Sequence, residues 1–149
     1  MRRFRFRLAP LLRLRSQLER SARRELAAAL GTLDGIEQRL AAATAGVRDC
    51  GEQGVRTDAV GHLARGLETG LRRLMWRLGK QRLEAQQKVD VARADYAQKA
   101  RDLKALQRLR DQQREVWRQD VQRAEQAEID ELAVLSRGAA MAQLGGEEA

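Results

Sequence analysis

The chain has 149 residues, of which 34% are charged and only 3% aromatic, and its formal net charge is +8. So few aromatic side chains, together with a single proline, are typical of long helices and argue against a compact globular core. The one cysteine, Cys50, excludes an internal disulfide and suits a reducing cytoplasm.

The charge excess lies at the start of the chain. Residues 1–24 contain nine arginines and one glutamate, whereas basic and acidic residues balance over the rest. Arginines interrupt every apolar run near the N-terminus, which excludes a secretory signal. No segment approaches the ~18 consecutive apolar residues of a membrane-spanning helix. An acid-free, arginine-rich start also resembles an organellar transit peptide, although the serines that such peptides favour are nearly absent.

Helical spacing of apolar residues begins close to the N-terminus and predicts a first helix over about residues 9–48. Pro10 would occupy its first turn, where a missing N–H is tolerated. The apolar stripe consists of Leu11, Leu14, Leu18, Ala22, Leu26, Leu30, Leu33, Ile36, Leu40 and Val47, with Thr44 filling the one gap.

Four glycines between residues 46 and 61 predict a turn over about residues 49–58. Thr57 or Asp58 can cap a second helix, predicted over about residues 58–136. Its stripe is Leu63, Leu67, Leu71, Leu74, Leu78, Ala85, Val89, Ala92, Tyr96, Leu103, Leu106, Trp117, Val121, Ala124, Leu132 and Leu135. The tail, residues 138–149, has glycines and no sustained period, so we expect it to be frayed or disordered.

Two helices with one apolar face each predict an all-α fold, a long antiparallel coiled coil of two helices. Residues 1–137 would form this single hairpin, and the longer C-terminal helix would overhang the first. Its stripe from Leu103 to Leu135 would then lack an intramolecular partner. An exposed apolar stripe on a helix is usually a surface that binds another protein.

Catalytic and metal-binding patterns are absent from the sequence. The lone His62 has no fixed partner, and "GKQ" at residues 79–81 lacks the first glycine and the Ser/Thr of a phosphate loop. The acids lack the glycine that a calcium loop requires, and no Cys/His cluster could hold zinc. We therefore predict no enzyme, no cofactor and no metal.

Three segments together carry a family resemblance. They are the leader "FRFRLAPLLRLRSQLERSARRELAAA", the polar glycine-containing break in mid-chain, and a later passage with "KVD", "LKALQRLRD" and "EIDELA". In this order they resemble the flagellar export protein FliJ family over about residues 4–135.

The resemblance implies a non-enzymatic stalk of the flagellar type III export apparatus. Such a stalk forms an antiparallel coiled coil similar to the shaft of rotary ATPases and inserts in the hexameric export ATPase. It also engages the cytoplasmic domain of the export gate and is linked to export chaperones. A cytoplasmic protein, peripheral at the inner face of the cell membrane, is implied. Two helices side by side, about 20 Å wide, can enter the centre of a ring.

Two contact surfaces are expected. The ATPase-ring contact comprises Arg2, Arg3, Phe4, Arg5, Phe6, Arg7, Leu8, Trp117 and Leu132, with the arginines facing acidic groups on the ring. The export-gate contact comprises Leu67, Leu71, Leu74 and Leu78, in a locally basic stretch remote from the termini. The alternative is that these leucines pack on the first helix and that the arginines form a solvated face.

Other functions stay open at this point. An injectisome counterpart of the same stalk has a similar composition. A basic leader can also bind nucleic acid or an anionic membrane surface. Against nucleic acid, the rest of the chain is neutral and offers few aromatic residues for base stacking.

Overall fold

The fold consists of two long helices. The computed structural model describes the backbone of residues 3–144 and the side chains of residues 3–138. Helix α1 spans Ala9–Gly54 and helix α2 spans Ala59–Leu144. The two pack against each other as an antiparallel hairpin, and no strand occurs in the described range. The predicted all-α hairpin with a longer second helix is confirmed.

Both helices end later than the sequence indicates. Helix α1 runs on to Gly54 rather than to about residue 48. Glycine disfavours a helix by only about 1 kcal/mol, which packing offsets. Gly46 shows this packing, because a Cβ built there would lie 3.0 Å from Cδ1 of Leu71. Helix α2 continues to Leu144. Residues 138–144 of the tail expected to fray are therefore helical, and residues 145–149 lie outside the described part.

The turn is short and is closed by polar contacts. Asp58 caps α2, since its Oδ1 accepts a hydrogen bond of 3.1 Å from the backbone N–H of Gly61. Arg56 donates to the same carboxylate at 2.7 Å, and the two contacts lower the pKa of Asp58. Arg65 donates to the carbonyl oxygen of Gly54 at 2.6 Å, near the end of α1. A Cβ at position 61 would clash with the carbonyl oxygen of Arg56, so the turn requires glycine there.

The chain divides into two compact units. One comprises Arg13–Leu103, with most of α1, the turn and the first half of α2. The other comprises Met1–Leu12 together with Lys104–Ala149.

A strict seven-residue repeat forms the core of the Arg13–Leu103 unit. Buried and half-buried positions of α1 alternate steps of four and three residues, the spacing of a coiled-coil seam. They are Ala22, Leu26, Ala29, Leu33, Ile36, Leu40, Ala43 and Val47. On α2 the facing positions include Ala64, Leu71, Leu78, Ala85, Val89 and Ala92. Val89 is fully buried.

The observed seam corrects the predicted stripe on α1. Leu14 and Leu30 are 50% and 41% exposed, and Ala29 takes the seam position assigned to Leu30. Ala43 likewise replaces Thr44. Several successive residues of the predicted stripe are four positions apart. Residues with that spacing move gradually around the helix and away from a seam whose period is 3.5 residues.

Near the turn, small residues replace leucines in the seam of α2. Gly61 and Ala64 are buried, whereas Leu63 and Leu67 are 68% and 61% exposed. Gly61 packs against the backbone of Arg56 in the turn, which leaves no room for a larger side chain there. Two predicted seam leucines therefore lie on the surface.

A polar layer interrupts the apolar seam. Arg15 of α1 forms a 3.0 Å ion pair with Asp102 of α2. Glu19, only 6% exposed, accepts a 2.6 Å hydrogen bond from Arg23. The Arg23 guanidinium lies 5.9 Å from the centroid of the Tyr96 ring, and its interactions with Tyr96 and then with Glu19 raise the pKa of Arg23. Paired polar groups within an apolar seam favour a single register.

Candidate partner-binding surfaces

The leader, residues 3–8, alternates exposed arginines with half-buried aromatic rings. Arg3, Arg5 and Arg7, called the leader arginines below, are exposed, whereas Phe4 and Phe6 are half-buried. This alternation of arginine and phenylalanine is the period of two of an extended chain. The leader thus offers charge on one side and apolar rings on the other. Arg2, also predicted as a ring contact, lies outside the described residues.

Phe4 anchors the leader to α2 within the Met1–Leu12 and Lys104–Ala149 unit. Its ring centroid lies 5.9 Å from that of Trp117, with the rings tilted by 51°. Tilted aromatic pairs at this distance contribute about 0.5–1.5 kcal/mol beyond area burial. The structure therefore brings together two of the predicted ring-contact residues. Leu8, at 38% exposure, and Leu132, at 66%, lie on the surface.

The C-terminal part of α2 presents apolar side chains beside acids. The exposed apolar residues are Val116, Ile129, Leu132, Val134 and Leu135, each 57–69% exposed. Asp130 and Glu131 line a shallow groove with Val134 and Leu135. Residues 124–136 contain four acids and no base. This segment, called the acidic stripe below, suits a partner with apolar and basic groups.

The four predicted gate-contact leucines fall into two pairs. Leu78 is 3% exposed and belongs to the core, and Leu71 is half-buried against α1. Leu67 and Leu74 are 61% and 37% exposed. Together with Leu63, Gly66 and Gly70 they line an open apolar groove on α2, called the turn-end groove below. Only the second pair presents side chains that a partner can reach without opening the seam.

The comparison with protein families decides the assignment. The model of a family described as "Flagellar FliJ protein" matches residues 4–140. The chain belongs to the FliJ family. The match begins at Phe4, within the leader, and includes all of α1, the acidic stripe and α2 as far as residue 140. No curated protein and no solved structure matches the chain.

FliJ family membership implies a component of the flagellar export apparatus. The surfaces described above are thus considered as contacts to other proteins. In the part of the chain with described side chains, no group of three His, Cys, Asp or Glu could hold a metal ion. Within that same part, neither helix has an apolar run long enough to cross a bilayer.

Sequence reasoning missed one exposed aromatic residue of this family member. Trp76 is 65% exposed, and the Nζ of Lys80 lies 3.9 Å from the centroid of its ring. In the sequence Trp76 ends the apolar run "LMW", so its exposure is not evident there. Leu74 and Met75 of the same run lie closer to the seam. The available signal was the position of Trp76 two residues before Leu78, about 200° around the helix from the predicted stripe.

Proposed function

We propose that the chain is a non-enzymatic coiled-coil stalk of the flagellar type III export apparatus. In this proposal it inserts in the hexameric export ATPase and links that ATPase to the export gate and to export chaperones. The observation that carries the proposal is the family match over residues 4–140. The geometry of the leader supports it, since the Phe4–Trp117 contact holds the leader arginines beside α2 with their side chains exposed.

The ring contact would use charge first and apolar packing second. Exposed arginines speed encounter with acidic groups of a partner, while adding little to the stability of the free chain. The exposed apolar residues of the acidic stripe would then supply area that is removed from water on binding. Of the two predicted ring-contact residues outside the leader, Leu132 is 66% exposed and Trp117 is half-buried.

The gate contact would use the turn-end groove. Leu67 and Leu74 offer apolar area, and the same helix carries Arg73 and Arg77, both exposed, of which Arg77 lines the groove. In this proposal Leu71 and Leu78 act from inside the seam by holding α2 in place. The apolar groove beside basic side chains suits a segment of the gate's cytoplasmic domain that carries both acids and apolar residues.

Contacts with a gate that is embedded in the membrane would place the chain at the inner face of the cell membrane, as a peripheral protein. Export chaperones would bind surfaces that the ring and the gate leave free. The stalk itself would carry out no chemical step. Its role would be to contact the subunits of a symmetric ring unequally and so couple to ATP turnover.

A pull-down from the native flagellated cell tests this proposal. The tagged chain should recover the flagellar export ATPase from a nuclease-treated lysate, identified by mass spectrometry. A chain with Trp117→Ala should recover less ATPase, because the leader loses its anchor. Recovery of an injectisome ATPase instead would favour the injectisome counterpart. Recovery of nucleic acid from an untreated lysate, with neither ATPase recovered from the nuclease-treated one, would contradict the proposal.

A further inference from the structure

A ridge of exposed side chains runs along α2 on the side away from the seam. Thr69, Trp76 and Leu83 follow one another at seven-residue intervals, and Trp76 and Leu83 are 65% and 68% exposed. The seam residues Leu71 and Leu78 have the same spacing but are offset from the ridge by two residues, about 200° around the helix. The ridge therefore projects outward from the Arg13–Leu103 unit.

Basic side chains flank this ridge, and acids are absent from it. Residues 69–83 contain five basic residues and no Asp or Glu. Arg72 forms a 2.7 Å ion pair with Glu68, and Arg82 pairs with an acid of α1 at 3.3 Å. Neither Arg73 nor Arg77 has an ion pair to any side chain that the structure describes.

Trp76 lies at the centre of the basic side chains. The Nζ of Lys80 contacts the face of its ring at 3.9 Å. Shallow depressions lie on both sides of the indole, one lined by Arg73 and Arg77 and the other by Lys80 and Leu83. The ring is thus a raised apolar element between basic groups.

The shape of the ridge favours one class of partner. Binding to single-stranded nucleic acid uses successive aromatic side chains for stacking, and the ridge has one. A groove-binding peptide requires a concave apolar surface, whereas Trp76 and Leu83 project. A bilayer surface accepts projecting Trp and Leu side chains between its headgroups, and its anionic lipids attract Arg and Lys.

We propose that this ridge, with Arg73, Arg77 and Lys80, binds the anionic headgroup layer of a phospholipid membrane. Trp76 and Leu83 enter the interface between headgroups and acyl chains, and the three basic side chains pair with lipid phosphates. This binding goes beyond the proposed stalk function, since it requires neither an ATPase nor an export gate. It would hold the protein at a membrane through its own residues.

Vesicle binding followed by fluorescence tests the proposal. The chain has two tryptophans, so Trp117→Phe leaves Trp76 as the only indole. With phosphatidylglycerol-containing vesicles, the emission of Trp76 should shift to the blue and acrylamide should quench it less. With vesicles of phosphatidylcholine alone, neither change should occur. The unmodified chain should sediment with the first vesicles and not with the second.

Two matched variants locate the binding surface. Serine at Arg73, Arg77 and Lys80 should weaken sedimentation with the anionic vesicles on the order of 100-fold, since each basic residue near the surface contributes about a factor of five. Serine at Arg101, Arg108 and Arg114, three exposed basic residues elsewhere on α2, removes the same charge and should leave most of the binding. Circular dichroism should show both variants equally helical.

Three outcomes would overturn the proposal. One is equal binding to both kinds of vesicle, or binding to neither. A second is loss of binding when the leader arginines are replaced by serine while the ridge variant still binds, because the leader would then be the lipid site. A third is a blue shift of Trp76 on adding an acidic peptide or DNA but not anionic vesicles, which would assign the ridge to another macromolecule.

Discussion

Leu78→Ala and Leu67→Ala form a matched pair that separates folding from partner binding. Both leucines belong to the continuous helix α2 and both were predicted as gate contacts, yet Leu78 is 3% exposed and Leu67 is 61% exposed. The same three carbon atoms are removed in each case. Only the surroundings differ, so the difference between the two variants measures burial.

The magnitudes follow from that burial. Truncating a buried leucine to alanine lowers the free energy of unfolding by about 2–5 kcal/mol, which includes the cavity left behind. Leu78 packs with Leu33, Ile36, Ala85 and Val89, so its loss should fall in this range. Leu67 retains most of its exposure on folding, so about 1 kcal/mol or less is expected.

Urea unfolding monitored by circular dichroism at the helical band provides the assay. The midpoint should fall clearly for Leu78→Ala and hardly for Leu67→Ala. Binding to the cytoplasmic domain of the export gate, measured where both variants are folded, should show the reverse order. If Leu67→Ala unfolds as easily as Leu78→Ala, the described seam is wrong. If gate binding is normal in Leu67→Ala, the turn-end groove is not the gate contact.

Three further predictions concern the turn and the leader. Gly61→Ala should destabilise the hairpin more than Gly66→Ala in thermal unfolding, because its Cβ meets the Arg56 carbonyl whereas position 66 is open. Because the pKa of Asp58 is lowered in the folded chain, its ionised carboxylate stabilises the hairpin at neutral pH, and this stabilisation is lost as the pH falls below about 4. Asp58→Asn should therefore make the melting temperature less dependent on pH in the acid range. A variant with the same pH profile as the unmodified chain would refute this role of Asp58. Replacing the leader arginines with serine should leave the melting temperature unchanged but weaken ATPase binding at low salt. A variant that binds the ATPase as tightly as the unmodified chain does, at both low and high salt, would contradict their role.

The fold follows from the sequence because period and composition both indicate it. Apolar residues at helical spacing, one proline and a polar glycine-containing break predict two antiparallel helices. The seam itself was predicted less well. The residues of the predicted stripe from Leu14 to Leu30 are evenly spaced, four positions apart. The seam of a two-helix coiled coil has a period of 3.5 residues, so alanines such as Ala29 occupy seam positions and their larger neighbours do not.

The candidate surfaces were predictable only in part, because exposure depends on the second helix. Four leucines in one stripe, from Leu67 to Leu78, look equivalent in the sequence, and only the packed structure separates surface from core. Trp76 was overlooked for the same reason, since a large apolar residue is more often buried. The contact of Phe4 with Trp117 joins residues that are far apart in the sequence, and no local pattern indicates such a pair.

The stoichiometry of ATPase stimulation tests the stalk proposal most directly. A pair of helices about 20 Å wide that enters the centre of a ring leaves room for one chain in each hexamer. Titrating the purified chain into the purified flagellar export ATPase should therefore raise ATP hydrolysis until one chain is present per hexamer, with no further rise. Stimulation that saturates at one chain per ATPase subunit, or no stimulation by a chain that binds, would contradict insertion in the ring.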